Sequence, residues 1–224
     1  MTTPANPILS FLADIAANNN KPWFDENRSR YEEARTLFEL KTSALIEALA
    51  TIEPAVAHLT VKDCTYRFHR DTRFSPDKSP YKRHFGAYIN PHGRKSPHGG
   101  YYMHIEPGSC FVAGGAWQLE PKVLRAVRQS IVDDIDEFRS IVEAPPFSRY
   151  YKEIGLTSLK TMPKGFDKDF PHARYIRCKD YSVSHPVPDD FYFRPDWLTQ
   201  TLTAFRAMKP YLDFINYTID DYAE

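Results

Sequence analysis

The period of the hydrophobic pattern changes once, near Cys64, and that change limits the chain to a fold combining helices with an antiparallel sheet. Before it the spacing is helical. Ile8, Phe11, Leu12 and Ile15 share one side of a short helix over residues 7–17, which the polar run Asn18, Asn19, Asn20 closes. Phe24, Tyr31, Phe38 and Leu45 then recur every seven residues, with Pro22 suited to a first helical turn, and predict one long helix from about 22 to 50. From Cys64 to Trp117 the period is two. The runs 65–70, 83–90, 100–107 and 109–117 are rich in aromatic and β-branched residues and are separated by Pro, Gly and Ser, as strands are. Pro107-Gly108 marks a hairpin, and residues 91–100 read as a polar loop.

Helical spacing returns at Pro121 and runs to about Val142, with Asp133-Asp134 placed to break it. Residues 145–170 lack a period, 174–182 suggest a fifth strand, and a helix from Pro195 is expected to restart at Pro210. The expected architecture is a single α+β domain over residues 1–224. In it a mainly antiparallel sheet of about five strands packs against N-terminal, middle and C-terminal helices.

The chain has 224 residues, 42% of them apolar, with 15 Phe and 14 Tyr, which is enough to build a core and excludes a disordered chain. Basic and acidic residues balance at 29 each, which argues against a general polyelectrolyte for nucleic acid or membrane surfaces. Cys64, Cys110 and Cys178 are far apart and form no CxxC pair, so neither a disulfide framework nor a Cys-based zinc site is expected. The opening MTTPANPILSFL lacks the basic and long apolar segments of a leader, and no stretch reaches about 20 apolar residues. A cytoplasmic protein without a membrane partner is the expectation.

Against this neutral background, residues 64–85 hold Arg67, Arg70, Arg73, Lys78, Lys82 and Arg83 but only Asp71 and Asp77, a local excess of +4. Arginine forks grip carboxylate or phosphate with two bonds, and lysines act as mobile point charges. A small anionic ligand is therefore the expected partner, with Arg67, His69, Arg70, Arg73, Lys78, Lys82 and His104 as binding groups. Strand alternation puts Arg67 and His69 on one face, and Tyr66, Phe68 and Arg70 on the other. The competing reading makes the arginines an internal ion-pair network with Asp71 as counter-ion, while Phe74 and Tyr81 plug the core.

Further along, Tyr102, His104 and Glu106 share a strand face, where His104 and Glu106 read first as a hydrogen-bonded histidine beside a solvated glutamate, and otherwise as an acid/base pair or half of a metal site. No spacing completes a metal-ligand set, and no motif names a cofactor. Were the chain an enzyme, His69, His104 or Glu106 would be the acid/base, with hydrolysis or transfer at phosphorus the leading class. The alternative is a non-catalytic module for nucleic acid or a protein partner, with Tyr66, Tyr81 or Tyr101 as stacking surfaces, and it is the less favoured reading. His92 and His98 read as solvated loop residues, and Cys110 as a small core residue. Gly114-Gly115 marks a bulge or a close approach, and the basic residues between 160 and 179 read as a solvated face.

The string Arg67, Arg70-Asp71, Arg73-Phe74, Lys78, Pro80-Tyr81-Lys82 resembles the signature RxxRDxRFxxxKxPYK of the domain of unknown function 2461 family, uncharacterised and mainly bacterial proteins of about this length. The likeness extends to Asn18-Asn19, Trp23-Phe24, Tyr31, Gly114-Gly115, Trp117 and Pro163-Lys164-Gly165-Phe166. Where the family pattern leads us to expect Asp-His-Pro, this chain has Asp169-Phe170-Pro171, so His172 receives no role by analogy. The resemblance implies a single domain spanning nearly the whole chain, and no reaction.

Overall fold

The computed structural model describes residues 6–223. Helix α1 (Pro7–Ala17) begins on Asn6, whose side chain accepts from the backbone N–H of Ile8 at 2.9 Å. The expected long helix is divided into α2 (Lys21–Glu26) and α3 (Arg28–Leu49). Asn27 divides it: its backbone N–H and its side-chain amide both donate to the Trp23 carbonyl at 3.0 Å, the local competition by which asparagine ends a helical turn. After α4 (Val61–Cys64) come β1 (Phe85–Ile89), β2 (Gly100–Ile105) and β3 (Phe111–Ala116). Then follow α5 (Pro121–Asp133) and α6 (Ile135–Val142), parted at Asp134 as the Asp pair suggests, α7 (Pro145–Ser148), α8 (Ala173–Ile176), β4 (Tyr181–Pro186) and α9 (Trp197–Ala223).

The fold is α+β, with helices before, between and after the strands of a four-stranded antiparallel sheet of order β1-β2-β3-β4. It has four strands where about five were expected. Residues 65–70 contribute only isolated bridges, and the 174–182 run divides into the turn of α8 and the start of β4. Helix α9 passes through Pro210 without restarting. The missing N–H removes one helical bond, and burial of Met208, Tyr211, Leu212 and Ile215 outweighs it. No helix among the described residues is long and apolar enough to cross a membrane.

Contacts gather into two compact units. The first comprises the chain up to Pro91, Tyr102–Phe111 and Pro186–Thr199, and the second His92–Tyr101, Val112–His185 and the chain from Gln200 onward. The first unit has an aromatic core in which Phe11, Phe24, Tyr31, Phe68, Tyr81 and Phe85 meet with ring centroids 4.1–6.4 Å apart. The second is built around Phe138, Phe147, Tyr181, Phe205 and Tyr211. Two of its buried hydroxyls are spent on backbone carbonyls, Tyr211 donating to Tyr181 at 2.9 Å and Tyr151 to Ala204 at 2.9 Å. At Gly115 only glycine fits comfortably: φ is +110°, and an added Cβ would lie 2.1 Å from the Tyr181 carbonyl oxygen.

Candidate functional site

Two groups of side chains in the first unit need separate treatment, and the first is the basic segment itself. Residues 65–70 run antiparallel to 81–87, with Thr65 opposite Ala87 and His69 opposite Tyr81. The two bridges are four residues apart on one strand and six on the other, so the 81–87 strand carries two extra residues and bulges. Strict alternation fails as a result. Phe68 is buried, whereas Tyr66 is 46% exposed and has the Lys82 ammonium 4.9 Å from its ring centroid.

The bridges bring Arg70 to the base of a loop spanning 71–79, and Arg70 fastens it. Its guanidinium donates to the Asp77 carboxylate at 2.6 Å, the Ser79 carbonyl at 3.1 Å and the Ser75 hydroxyl at 3.4 Å. Arg73 forks onto both oxygens of Asp71 at 3.0 and 2.7 Å, Arg83 lies 3.8 Å from Asp77, and Lys78 donates to the Thr72 carbonyl at 3.0 Å. The bonds from Arg73 hold the Asp71 carboxyl at about 2, and those from Ser79 and then Arg70 hold Asp77 well below the usual carboxylate range. Two acids thus engage three arginines. Arg67 remains exposed, close enough for its charge to help depress Asp71, and His69 meets Tyr81 and Phe24 edge-on.

Of the two aromatics expected to plug the core, Tyr81 does and Phe74 does not. The Tyr81 ring stacks on Phe24 at 4.1 Å and 18°, and the Asn19 amide brackets its backbone, accepting from the N–H at 3.0 Å and donating to the carbonyl at 2.9 Å. Phe74 is 95% exposed at the loop tip. Much of the basic signature is therefore a fastening for the loop. Replacing Arg70 by Ala is expected to cost about 1–3 kcal/mol and to open 71–79 to proteolysis, because three acceptors lose one charged donor. Limited digestion with mapping of the first cut checks it.

The second group lies on the strands behind the segment. Tyr102, His104 and Glu106 share a face of β2 and its extension, as alternation predicts. The His104 ring bonds on both sides, Nδ1 with the Tyr102 hydroxyl at 3.0 Å and Nε2 with Glu106 Oε2 at 3.1 Å. Phe111 stacks against the ring at 4.3 Å and 10°, fixing its plane. His84, just before β1, brings its ring to 4.4 Å from His104. Gly86, two residues on, leaves room for the Tyr102 hydroxyl, since a Cβ there would lie 2.2 Å from that oxygen.

His104 is 6% exposed, and burial lowers its pKa to about 4. His84 is lowered to about 4 chiefly by burial and then by the His104 and Lys82 charges, with Glu106 opposing. Both imidazoles are consequently neutral at pH 7. With Tyr102 donating to Nδ1, the neutral His104 ring places its proton on Nε2 and gives it to Glu106. Burial also raises the Tyr102 phenol far above its usual value, so it stays a donor.

Of the residues chosen from sequence, the structure brings Lys82 and His104 to this face and leaves Arg70, Arg73 and Lys78 in the loop. His84 was missed. Its only sequence signal is its parity with Lys82 and Gly86. Its partner is set by the pairing of β1 with β2, which no local pattern reveals.

In the second unit, Cys178 is buried and its thiol pushed up to about 11, as is Cys110 in the first, so both behave as core residues. Gly114 is a packing position: an added Cβ would meet Met208 Sδ at 2.3 Å. Gly165 of the 163–166 string lies under the Arg125 guanidinium, which reaches over to stack on Phe166. Arg174, from the second basic stretch, pairs with Glu143 at 2.9 Å on the rim of a cavity of about 770 Å³. His98, expected to be solvated, instead bonds Ser96 Oγ and Asp220 at 2.6 Å each, with His92 stacked 4.1 Å from its ring.

A family model described as "Conserved hypothetical protein (DUF2461)" matches residues 7–214. No curated protein and no solved structure matches the chain.

Proposed function

The chain belongs to the DUF2461 family of conserved hypothetical proteins, and we propose that it binds a small phosphate- or carboxylate-bearing molecule over the His84, His104 and Glu106 face of the first unit. The observation that carries this reading is the His104 ring, held in plane by Phe111 and bonded at both nitrogens beside a second neutral imidazole. Such a ring is positioned to give or take a proton at Nε2 through Glu106 without rearranging. The Lys82 ammonium, lodged over Tyr66 at the edge of the same face, supplies the charge that attracts the anion. Arg70 and Arg73 serve the loop, and their effect on the ligand is indirect. Should the bound molecule be turned over, this chemistry fits acid/base-assisted hydrolysis or transfer.

Thermal shifts of chelator-treated protein with inorganic phosphate and pyrophosphate test this proposal. Lys82→Ala is expected to abolish the shift and Arg73→Ala to keep it; the reverse pattern would move the ligand into the loop and overturn the reading.

A second reading rests on Phe74. An aromatic ring 95% exposed at the tip of a loop bearing Arg73 and Lys78 suits stacking on a single-stranded nucleic acid. Steep loss of affinity for an oligonucleotide with added salt, together with loss in Phe74→Ala, distinguishes it from the small-anion reading.

A further inference from the structure

His84, His104 and Glu106 each offer one donor atom, and the three donors lie within 4.8 Å of one another. Two come from one strand, two residues apart and therefore on one face, and the third from the neighbouring strand opposite. The His104 Nε2 and Glu106 Oε2 atoms are 3.1 Å apart. Donors of a tetrahedral zinc ion, bound at about 2.0–2.1 Å, stand roughly 3.3 Å from one another, so this edge already has about the required length, and the two His84 edges are within 4.8 Å. We propose that this set is a binding site for a divalent transition metal ion of the zinc type, with two histidines and one carboxylate as ligands and one position open to water or an anion.

The surroundings are those of a metal ligand set. Phe111 fixes the plane of the His104 ring, and the Tyr102 hydroxyl meets Nδ1 at 3.0 Å, the outer partner that orients a ligating imidazole. Binding would turn the tautomer over. Without an ion the Nε2 proton goes to Glu106 and Nδ1 accepts from Tyr102. With one, Nε2 presents its lone pair to the metal, the proton sits on Nδ1, and Tyr102 becomes the acceptor. Gly86 is required for that hydroxyl to stand where it does.

The inference rests on the binding face proposed above and names what would hold the anion there: two neutral imidazoles and one carboxylate leave a divalent ion with net charge +1 and a free position. The other three-ligand group, His92, His98 and Asp220, has its imidazoles 4.1 Å apart at 16°, against 4.4 Å and 32° for His84 and His104, and two of its three members are exposed, so it serves as the internal control.

The test is titration of chelator-stripped full-length protein with Zn²⁺ by calorimetry and with Co²⁺ by visible absorption, in buffer free of phosphate. One equivalent is expected, with the intense d–d bands of a low-symmetry Co²⁺ site. His104→Gln and His84→Gln should each lower affinity by at least about 100-fold, and Tyr102→Phe by about 10–100-fold while keeping the stoichiometry. Because His104 is buried, Glu106→Gln is the companion variant, changing charge with little change in shape, and it should also abolish the Co²⁺ bands. His98→Gln should bind as the parent does. Undiminished binding in His84→Gln and Glu106→Gln, binding lost instead in His98→Gln, or no saturable binding by the parent would overturn the proposal. Phosphate shifts in the chelated protein report on the anion face separately, so loss of one reading leaves the other measurable.

Discussion

Phe68→Ala is expected to lower stability by about 3–5 kcal/mol, while Phe74→Ala, six residues away in the same segment, should stay within about 0.5 kcal/mol of the parent. Phe68 has Phe11, Phe24, Tyr31, Tyr81 and Phe85 around it at 5.0–6.1 Å, so truncation leaves a cavity walled by rings from three helices and the 81–87 strand, too mutually constrained to collapse. Phe74 touches little beyond the Arg73 guanidinium, 5.8 Å from its ring centroid. Urea unfolding of the two variants checks the contrast. A comparable loss in both would mean that the 71–79 loop folds back onto the core in solution. If Phe74→Ala is neutral in stability and weakens oligonucleotide binding, the exposed ring belongs to a partner.

That contrast also marks how far the sequence could be read. The boundaries of α1 and the break between α5 and α6 follow from capping and a polar pair, both local effects, and they are legible residue by residue. The break at Asn27 was not legible, because its power to stop a helix depends on reaching the Trp23 carbonyl. In the basic segment composition marks the place but not the pairing. Six cations stand against two acids in the sequence, and only the folded loop shows Asp77 at the turn where Arg70 and Arg83 both reach it, one carboxylate engaging two guanidiniums.

The candidate site was half legible for a related reason. Tyr102, His104 and Glu106 share a face by the two-residue period alone, and that much needs no structure. His84 joins them only through inter-strand register, which is fixed by the hairpin path and by burial of Phe85, Ala87 and Ile89 on the opposite face. The same register carries Gly86 to Tyr102, so one pairing decision sets both the third donor and the space for the hydroxyl that orients the second.

Acidification from pH 7 to pH 4 in the presence of a chelator should destabilise the first unit by about 3 kcal/mol or more. The sign follows from proton binding. His104 and His84 are lowered from 6.5 to about 4 in the folded protein, so between those values the unfolded chain binds more protons and stability rises with pH. A lowering of roughly 2.5 units corresponds to about 3 kcal/mol for one ring, fully present above pH 6.5 and lost as pH falls to 4. The groups facing His84 set its share: Glu106 favours its protonation, whereas Lys82 and the His104 ring oppose it, so a proton on His104 makes one on His84 harder to add. The carboxylates fall in a separate window. Asp71 and Asp77, lowered by their loop partners, contribute stability that disappears only below about pH 4. His185 in the second unit is lowered too, by burial, and gives a background slope that the His84→Gln/His104→Gln double variant should retain. Denaturant midpoints at pH 7, 5.5 and 4.5 for parent and double variant provide the measurement, and equal slopes would mean that the two imidazoles are not the buried neutral pair described here. Added Zn²⁺ should steepen the parent's slope across the same window, because protons and the ion compete for the same nitrogens, and should leave the double variant's slope unchanged.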